Sequence, residues 1–133
     1  MWGSAEMNEF DWSEWYPLSQ QFLANVPDTP GIYEIRTDYQ FGRLNDLSQL
    51  VYVGSAARGV KPSLRRRLGA RVDDPEGNLS PAEKMLVGAG HVLEFRFTKA
   101  ENGETARQME IQKLSDYVRE HWEAPPGVSK KLG

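Results

Sequence analysis

The chain has 133 residues and a mass of 15.1 kDa, which is the size of one ordinary domain. It contains no cysteine, which excludes disulfides, thiol nucleophiles and cysteine-based zinc sites. A hydrophobic fraction of 39 % supplies one core, and the formal charge of −3 at first argues against a nucleic-acid partner. No secretory signal is visible and no apolar run approaches about 18 residues, so we expect a cytoplasmic protein with no membrane contact.

The charge is unevenly distributed along the chain. Residues 1–30 carry five acids and no lysine or arginine, which leaves a net charge of +2 for residues 31–133. Residues 56–72 contain no acid and six cations, namely Arg58, Lys61, Arg65, Arg66, Arg67 and Arg71. Such a segment produces a strong local potential whatever the total charge is, so a nucleic-acid partner stays open. The simpler alternative is a solvated basic face of a helix.

The first part of the chain is predicted to be an acidic, aromatic-rich extension, residues 1–29, that packs on the core. It contains Trp12 and Trp15, and a short helix is expected after Pro17, followed by a proline-rich and glycine-rich turn over residues 26–31. A partner-binding role for the tryptophans is the alternative interpretation.

The remaining pattern predicts three strands and three helices. Residues 31–37 and 50–54 are rich in β-formers, and residues 91–98 alternate apolar with polar side chains, so each run is predicted to be a strand. Residues 38–48 are expected to form a long irregular loop between the first two strands, and residues 73–78 a second loop. Helices are predicted over 62–72, from Ser80 to the glycines at 88 and 90, and over 103–122; Ser80, Pro81 and Glu83 form a helix-start pattern. The predicted fold is α/β, with a small three-stranded, largely antiparallel sheet flanked by helices.

The last predicted helix carries one residue that breaks its pattern. At about 100° per residue, an arc of about 160° should face the sheet, and it holds Ala106, Ile111, Leu114, Tyr117, Val118 and Trp122. Glu110 falls inside this arc, where an unpaired buried carboxylate costs several kcal/mol. Either a cation, a metal or water compensates it, or the helix is rotated and Glu110 is solvated or paired. His121 shares the arc but lies about 16 Å from Glu110 along the helix, too far to bind the same ion, so we interpret it as structural. We assign no role to His91.

Four features in this order resemble the GIY-YIG endonuclease superfamily. They are Gly31-Ile32-Tyr33, then Tyr52-Val53-Gly54, then the Leu-Arg-Arg-Arg-Leu run at 64–68, and then Glu110 on a late helix. The second triplet has valine at its middle position. The resemblance spans residues 30 to about 126, and it implies a GIY-YIG-like nuclease domain over residues 30–133.

The resemblance implies roles for individual residues. The catalytic set would be Tyr33, Tyr52, Arg67 and Glu110, with Glu110 also holding one divalent metal, Mg²⁺ or Mn²⁺. Glu104 is the alternative metal ligand, but an acid at the start of a helix is adequately explained by the helix dipole. Contacts to the DNA backbone would come from Gly54, Arg58, Lys61, Arg65, Arg66 and Arg71.

The sequence departs from the family at two places, and the departures motivate an alternative function. Arg71 stands where many members have a histidine, and residues 125–130 offer no asparagine after the glutamate helix, with Ser129 at best a partial substitute. The alternative is a weak or inactive GIY-YIG-fold module that binds nucleic acid without cutting it. The expected partner is DNA, with RNA left open, and target selection is expected from the domain itself, a targeting partner or a homo-oligomer.

Overall fold

A computed structural model describes residues 10–128 as a four-stranded antiparallel sheet flanked by helices. The strands are β1 (Tyr16–Pro17), β2 (Gly31–Gly42), β3 (Leu47–Ala56) and β4 (Leu93–Lys99), in the order β1-β4-β2-β3. The prediction of three strands was therefore wrong. The additional strand is only two residues long, pairing Tyr16 with Phe95, and so short a strand leaves no alternating pattern in the sequence.

Strands β2 and β3 form a long hairpin, so the predicted irregular loop over residues 38–48 was wrong. The strands extend to Gly42 and start again at Leu47, and these two residues are partners in the register. Asp46, in the short connection, has a φ of 65°, a conformation that aspartate adopts more readily than most residues. The polar residues at the hairpin end gain their strand conformation from backbone pairing across the hairpin, with two register irregularities on the way.

Four helices and one 3₁₀ turn accompany the sheet. They are α1 (Leu64–Asp73), α2 (Pro75–Asn78), α3 (Pro81–Gly88), α4 (Gly103–His121) and the 3₁₀ helix Gln20–Asn25. The predicted loop at residues 73–78 was wrong in part, since α2 lies in it. The predicted start of α3 is confirmed: Ser80 Oγ accepts a hydrogen bond from the Glu83 N–H, and Glu83 Oε1 accepts one from the Ser80 N–H.

The sheet separates α1 from α4. Successive residues of a strand face opposite sides, and Tyr33 and Ile35 share the core with Leu64 and Leu68 of α1. On the other side, Glu34 forms an ion pair with Lys113 of α4. The result is three layers, with the sheet between α1 and α4. Strand β3 is an edge strand of this sheet, so side chains from both faces of the sheet lie near the end of β3.

The buried stripe of α4 includes two polar residues. Its buried residues are Ala106, Glu110, Leu114, Tyr117 and His121. The expectation that Ile111 and Trp122 face the sheet was wrong, because 54 % and 63 % of their surfaces are exposed. Trp122 lies beyond the helix, in a left-handed cap with a φ of 66°, which turns it out of the helical stripe.

Residues 10–17 run along β4, at the side of the sheet away from β3. The Ser13 N–H donates to the Phe97 carbonyl oxygen at 2.8 Å. The guanidinium of Arg96 lies 4.1 Å from the Trp12 ring centroid, and that of Arg36 lies 4.2 Å from the Trp15 ring centroid. Both tryptophans therefore contact side chains of the sheet. Within residues 10–128, no helix has the length and apolar character needed to cross a membrane.

Candidate functional site

A cleft of about 710 Å³ opens at the end of the edge strand β3, between α1 and α4. The end of β3 and the segment after it form one wall, the start of α1 another, and α4 the third. The lining includes Tyr52, Gly54, Ser55, Arg58, Lys61, Ser63, Arg66, Arg67, Arg107, Glu110, Ile111 and Ser115. Tyr52 and Ser55 come from opposite faces of the sheet, and they meet in one cleft because β3 is the last strand in the sheet order.

The start of α4 is held against the segment that follows β3. A side chain at Gly103 would collide with the carbonyl oxygen of Ala57, so glycine permits this close approach. Asn102 caps the helix, since its Oδ1 accepts a hydrogen bond from the Thr105 N–H at 2.8 Å. The first turns of α4 are thereby placed so that Arg107 and Glu110 line the cleft.

Glu110 is the carboxylate that lines the cleft. Only 4 % of its surface is exposed, and its Oε1 accepts a hydrogen bond from Ser55 Oγ at 2.7 Å. The helical period placed Glu110 on the sheet-facing side of α4 and left its burial open; the structure buries it there. A hydrogen-bonded carboxylate in a cleft lined by cations is compensated electrostatically, which is the condition for burying it.

Five cations line the same cleft, and within residues 10–128 none of them forms an ion pair. They are Arg58, Lys61, Arg66, Arg67 and Arg107. Seven other cations are each paired with a carboxylate: Arg36, Arg43, Arg71, Lys84, Arg96, Lys113 and Arg119. The cleft therefore collects five of the seven cations that form no ion pair within residues 10–128, and it is strongly electropositive; the other two are Arg65 and Lys99.

The two motif tyrosines are stacked on each other, with Tyr52 at the cleft and Tyr33 behind it. Their ring centroids lie 6.0 Å apart at an interplanar angle of 27°, and 1 % of Tyr33 is exposed. Gly54 is the cross-strand partner of Tyr33, and a Cβ there would lie 2.6 Å from the Tyr33 hydroxyl oxygen. Glycine at position 54 therefore makes room for the Tyr33 hydroxyl directly beneath the cleft.

Burial raises the pKa of Tyr33 to about 12. The positive charges of Arg71 and Arg67 act in the opposite direction, while Tyr52 and Glu83 add to the increase. Tyr33 is thus a neutral phenol at physiological pH.

Two of the five cations predicted to contact the DNA backbone do not line the cleft. Arg65 donates from Nε to the Val26 carbonyl oxygen at 2.8 Å and lines a separate groove against the 3₁₀ helix. Arg71 is 7 % exposed, forms an ion pair with the buried Glu83, and lies 4.2 Å from the Tyr52 ring centroid. The structure therefore places Arg71 with the tyrosines rather than on the exposed basic surface.

The remaining polar candidates lie outside the cleft lining. Glu104 is exposed and accepts a 3.4 Å hydrogen bond from Gln108. His121 Nδ1 lies 2.9 Å from the Asn45 carbonyl oxygen, joining α4 to the hairpin end, which fits its predicted structural role. Ser129 lies outside the described residues.

Comparison with known proteins gives no assignment: no family model, no curated protein and no solved structure matches the chain. Among residues 10–128, no three histidine, aspartate or glutamate side chains are grouped to hold a metal ion. Among the described residues that line the cleft, Glu110 is the one carboxylate. This donor set fits Mg²⁺ or Mn²⁺ held largely by water and phosphate oxygens, and it does not fit a metal that needs a full cage of side chains.

Two residues of the cleft were missed by sequence reasoning. Arg107 lies three positions before Glu110, so the helical period places both on one side of α4, and this spacing was a usable signal. Ser55 directly follows the Tyr52-Val53-Gly54 triplet, and its hydroxyl holds Glu110 across 55 positions of sequence. A serine at the end of a strand gives no local indication of such a distant partner.

Proposed function

We propose that this protein is a metal-dependent endonuclease of the GIY-YIG type, which hydrolyses DNA phosphodiester bonds in the cleft at the end of β3. The observation that carries the proposal is the charge arrangement there. Five cations that form no ion pair within residues 10–128 line the cleft together with one buried carboxylate, Glu110. The resemblance of the motifs adds the expectation that Tyr33, Tyr52 and Arg67 act with it. The corresponding domain would comprise residues 30–133.

The cations suit a polyanion better than a small neutral substrate. Arginine is planar and donates to two phosphate oxygens at once, and three of the five cations, Arg66, Arg67 and Arg107, stand on helices that flank the cleft. Arg58 and Lys61 lie on the segment between β3 and α1. Contacts of this kind hold the phosphate backbone without reading its sequence, so they favour a nucleic acid as the class of substrate. The motif resemblance adds the expectation of DNA, and RNA is an outcome to test.

Each residue of the site has a distinct task in the proposed reaction. Arg67 holds a non-bridging oxygen of the scissile phosphate and stabilises the charge that develops on it. Tyr52 donates a hydrogen bond to the phosphate or to the attacking water. Glu110, fixed by Ser55, holds the divalent metal, which when bound neutralises phosphate charge and stabilises the leaving oxygen.

Tyr33 is assigned as the base that acts on the attacking water. Its phenol first releases its own proton to solvent, and the phenolate so formed then takes the proton of the water. With a pKa of about 12, a fraction of only about 10⁻⁵ of Tyr33 is ionised at neutral pH. A preformed phenolate is therefore a minor species, and positive charge near Tyr33 determines how readily its hydroxyl gives up a proton.

The test is cleavage of supercoiled plasmid and of branched or flapped DNA with Mg²⁺ or Mn²⁺. We expect Glu110→Gln and Arg67→Ala each to lower the rate by about 10²–10³-fold. The matched controls are Glu104→Gln, an exposed acid on the same helix, and Arg119→Ala, an exposed arginine paired with Asp116. Both controls should cleave within about twofold of the wild type, since neither lines the cleft. Equal rates in all variants would show that the assigned site is wrong.

A second candidate is a nucleic-acid-binding module of the same fold with weak or no cleavage. The observation that favours it is the burial of Tyr33, together with arginine rather than histidine at position 71. This candidate predicts salt-dependent DNA binding in the cleft and no cleavage with any divalent ion. Cleavage that disappears in Glu110→Gln would reject it.

A further inference from the structure

A buried ion pair lies beneath the tyrosine stack and has no task in the reaction described above. Arg71 of α1 and Glu83 of α3 are 7 % and 0 % exposed, and they contact each other. The Arg71 guanidinium carbon lies 4.2 Å from the Tyr52 ring centroid and 5.8 Å from that of Tyr33. One guanidinium is thus shared between a carboxylate and both motif tyrosines.

Glu83 is itself held rigidly. Its Oε1 accepts hydrogen bonds from the Ser80 N–H at 2.9 Å and from Ser80 Oγ at 2.8 Å, at the start of α3. The orientation of Arg71 is therefore fixed by a side chain that is fixed in turn by a helix cap. Such a chain of contacts holds the guanidinium over the rings with little freedom to move.

Folding stability alone does not explain this pair. Within residues 10–128, Arg71 Nε and Glu83 Oε2 are buried without a hydrogen-bond partner. Buried ion pairs are often replaced by apolar residues of similar volume at no cost in stability, and incomplete hydrogen bonding weakens the case for the pair further. A charge kept under these conditions points to a task for the charge.

The charges facing Tyr33 come from three elements. Arg71 and Arg67 on α1 favour the phenolate form, whereas Tyr52 on β3 and Glu83 on α3 oppose it. Burial opposes the charge on Arg71, but attraction to Tyr33, Glu83 and Tyr52 outweighs burial and holds the Arg71 pKa above its usual value. Arg71 thus stays charged, and it is the cation with the largest effect on Tyr33.

We infer that Arg71, oriented by Glu83, is a positioning residue whose buried positive charge stabilises negative charge that develops on the Tyr33 hydroxyl. The effect of this positioning role on DNA cleavage rests on the proposed function. The electrostatic coupling between Arg71 and Tyr33 does not, because it is a property of the protein without DNA or metal.

The coupling is tested by placing a difluorinated tyrosine at position 33 of the full chain and titrating it by fluorine NMR. The substitution makes the phenol more acidic, so that its ionisation falls in a range where the protein is folded. We expect Arg71→Met to raise the pKa at position 33 by about 1 pH unit or more. Glu83→Gln should lower it, because an opposing negative charge is removed. Arg71→Lys should restore part of the wild-type value.

The opposite signs separate an electrostatic role from a packing role. If the pair only supported packing, either substitution would let water reach Tyr33 and lower its pKa in both variants. The matched control is Arg36→Met, which removes an arginine that is likewise paired, with Glu94, and stacked on an aromatic ring, Trp15. It should leave the titration unchanged.

A double variant protects the test against loss of folding. Arg71→Met leaves Glu83 buried without its ion-pair partner, whereas Arg71→Met combined with Glu83→Gln removes both charges of this pair. The double variant should still show a raised pKa, since Arg71 affects Tyr33 more strongly than Glu83 does. A pKa that is unchanged or lowered in the folded double variant would overturn the inference.

Cleavage kinetics then test the consequence for the reaction. Where the wild type cuts DNA, the double variant should lower kcat with little change in KM and shift the pH–rate profile upward. An unchanged kcat would overturn the positioning role. A wild type that does not cut would reject the proposed function, while the titration would still decide the coupling.

Discussion

Two groups of cations at opposite sides of the sheet are treated differently by the fold. Beside β4, Arg96 lies 2.8 Å from Glu34 and 4.1 Å from the Trp12 ring centroid, and Lys113 lies 3.1 Å from the same glutamate. At the end of β3, five cations line a cleft with no ion pair among the described residues. The first group has its charge neutralised within the protein, and the second leaves its charge to whatever enters the cleft.

The two groups contain the same kinds of side chain, arginine and lysine, and they differ in pairing. A set of unpaired like charges in one cleft costs repulsion that a folded protein can avoid by pairing, as it does beside β4. The cost is recovered when an anion binds. We therefore expect substitutions in the paired group to affect stability, and substitutions in the cleft to affect binding.

The largest expected difference is between two arginines four positions apart on α1. Arg71→Ala leaves the fully buried Glu83 without its partner and should lower the free energy of unfolding by about 3–5 kcal/mol. Arg67→Ala removes an exposed side chain that forms no ion pair within residues 10–128, and it should change the free energy of unfolding by less than about 0.5 kcal/mol. Urea denaturation of both variants makes the comparison. Similar losses would mean that pairing does not distinguish the two groups.

The next largest expected effect is the fall in the free energy of unfolding at alkaline pH. Tyr33 has a pKa of about 12 in the folded protein and about 10 unfolded, so the folded state binds its proton more tightly. Its contribution is complete below about pH 10 and is lost as the pH rises toward 12, by about 2–3 kcal/mol in all.

Tyr33→Phe should therefore flatten the fall in unfolding free energy between pH 9 and the highest pH at which the protein stays folded. The measurement is urea denaturation at several pH values. Tyr117→Phe serves as the reference. Burial raises the pKa of Tyr117 as well, although its hydrogen bond with Ser48 acts in the opposite direction. A wild-type slope retained in Tyr33→Phe would contradict the buried, neutral phenol.

A smaller effect is expected within the paired group itself. Glu34→Ala removes the shared partner of Arg96 and Lys113, which are about one-quarter exposed, and should cost about 2 kcal/mol. Glu94→Ala removes the partner of Arg36 alone, at a site where both side chains are 32 % exposed, and should cost less than about 1 kcal/mol. Thermal denaturation would contradict the account if Glu94→Ala cost more.

The sequence predicted the elements whose signals are local. The capping pattern at Ser80 and Glu83 placed the start of α3, and the alternation around Phe95 placed β4 with its apolar face inward. The length of the hairpin and the existence of β1 were not predictable from local patterns. The end of β2 becomes a strand by pairing across the hairpin, and residues 16–17 become one by pairing with the distant β4.

The candidate site likewise contains residues that local sequence patterns indicate and residues whose partners lie far away in the sequence. Glu110 was recognisable because a helix period makes a misplaced acid visible, and Tyr33 and Tyr52 because their triplets are contiguous. The burial of Arg71 was not recognisable, since its partner Glu83 lies on another helix. Within one basic run of sequence, only the fold decides which arginine faces solvent and which lies under an aromatic ring.

The most direct test of the central claim is the salt dependence of DNA binding in the absence of divalent metal. The cleft variant Arg58→Ala/Lys61→Ala/Arg107→Ala is compared with Arg36→Ala/Lys84→Ala/Arg119→Ala, which removes three paired cations and the same charge. Fluorescence anisotropy with a labelled duplex gives Kd between about 50 and about 200 mM salt. We predict that the slope of log affinity against log salt falls by about 3 in the cleft variant and stays at the wild-type value in the paired variant. Equal slopes in both variants would contradict the assignment of the β3 cleft as the nucleic-acid site.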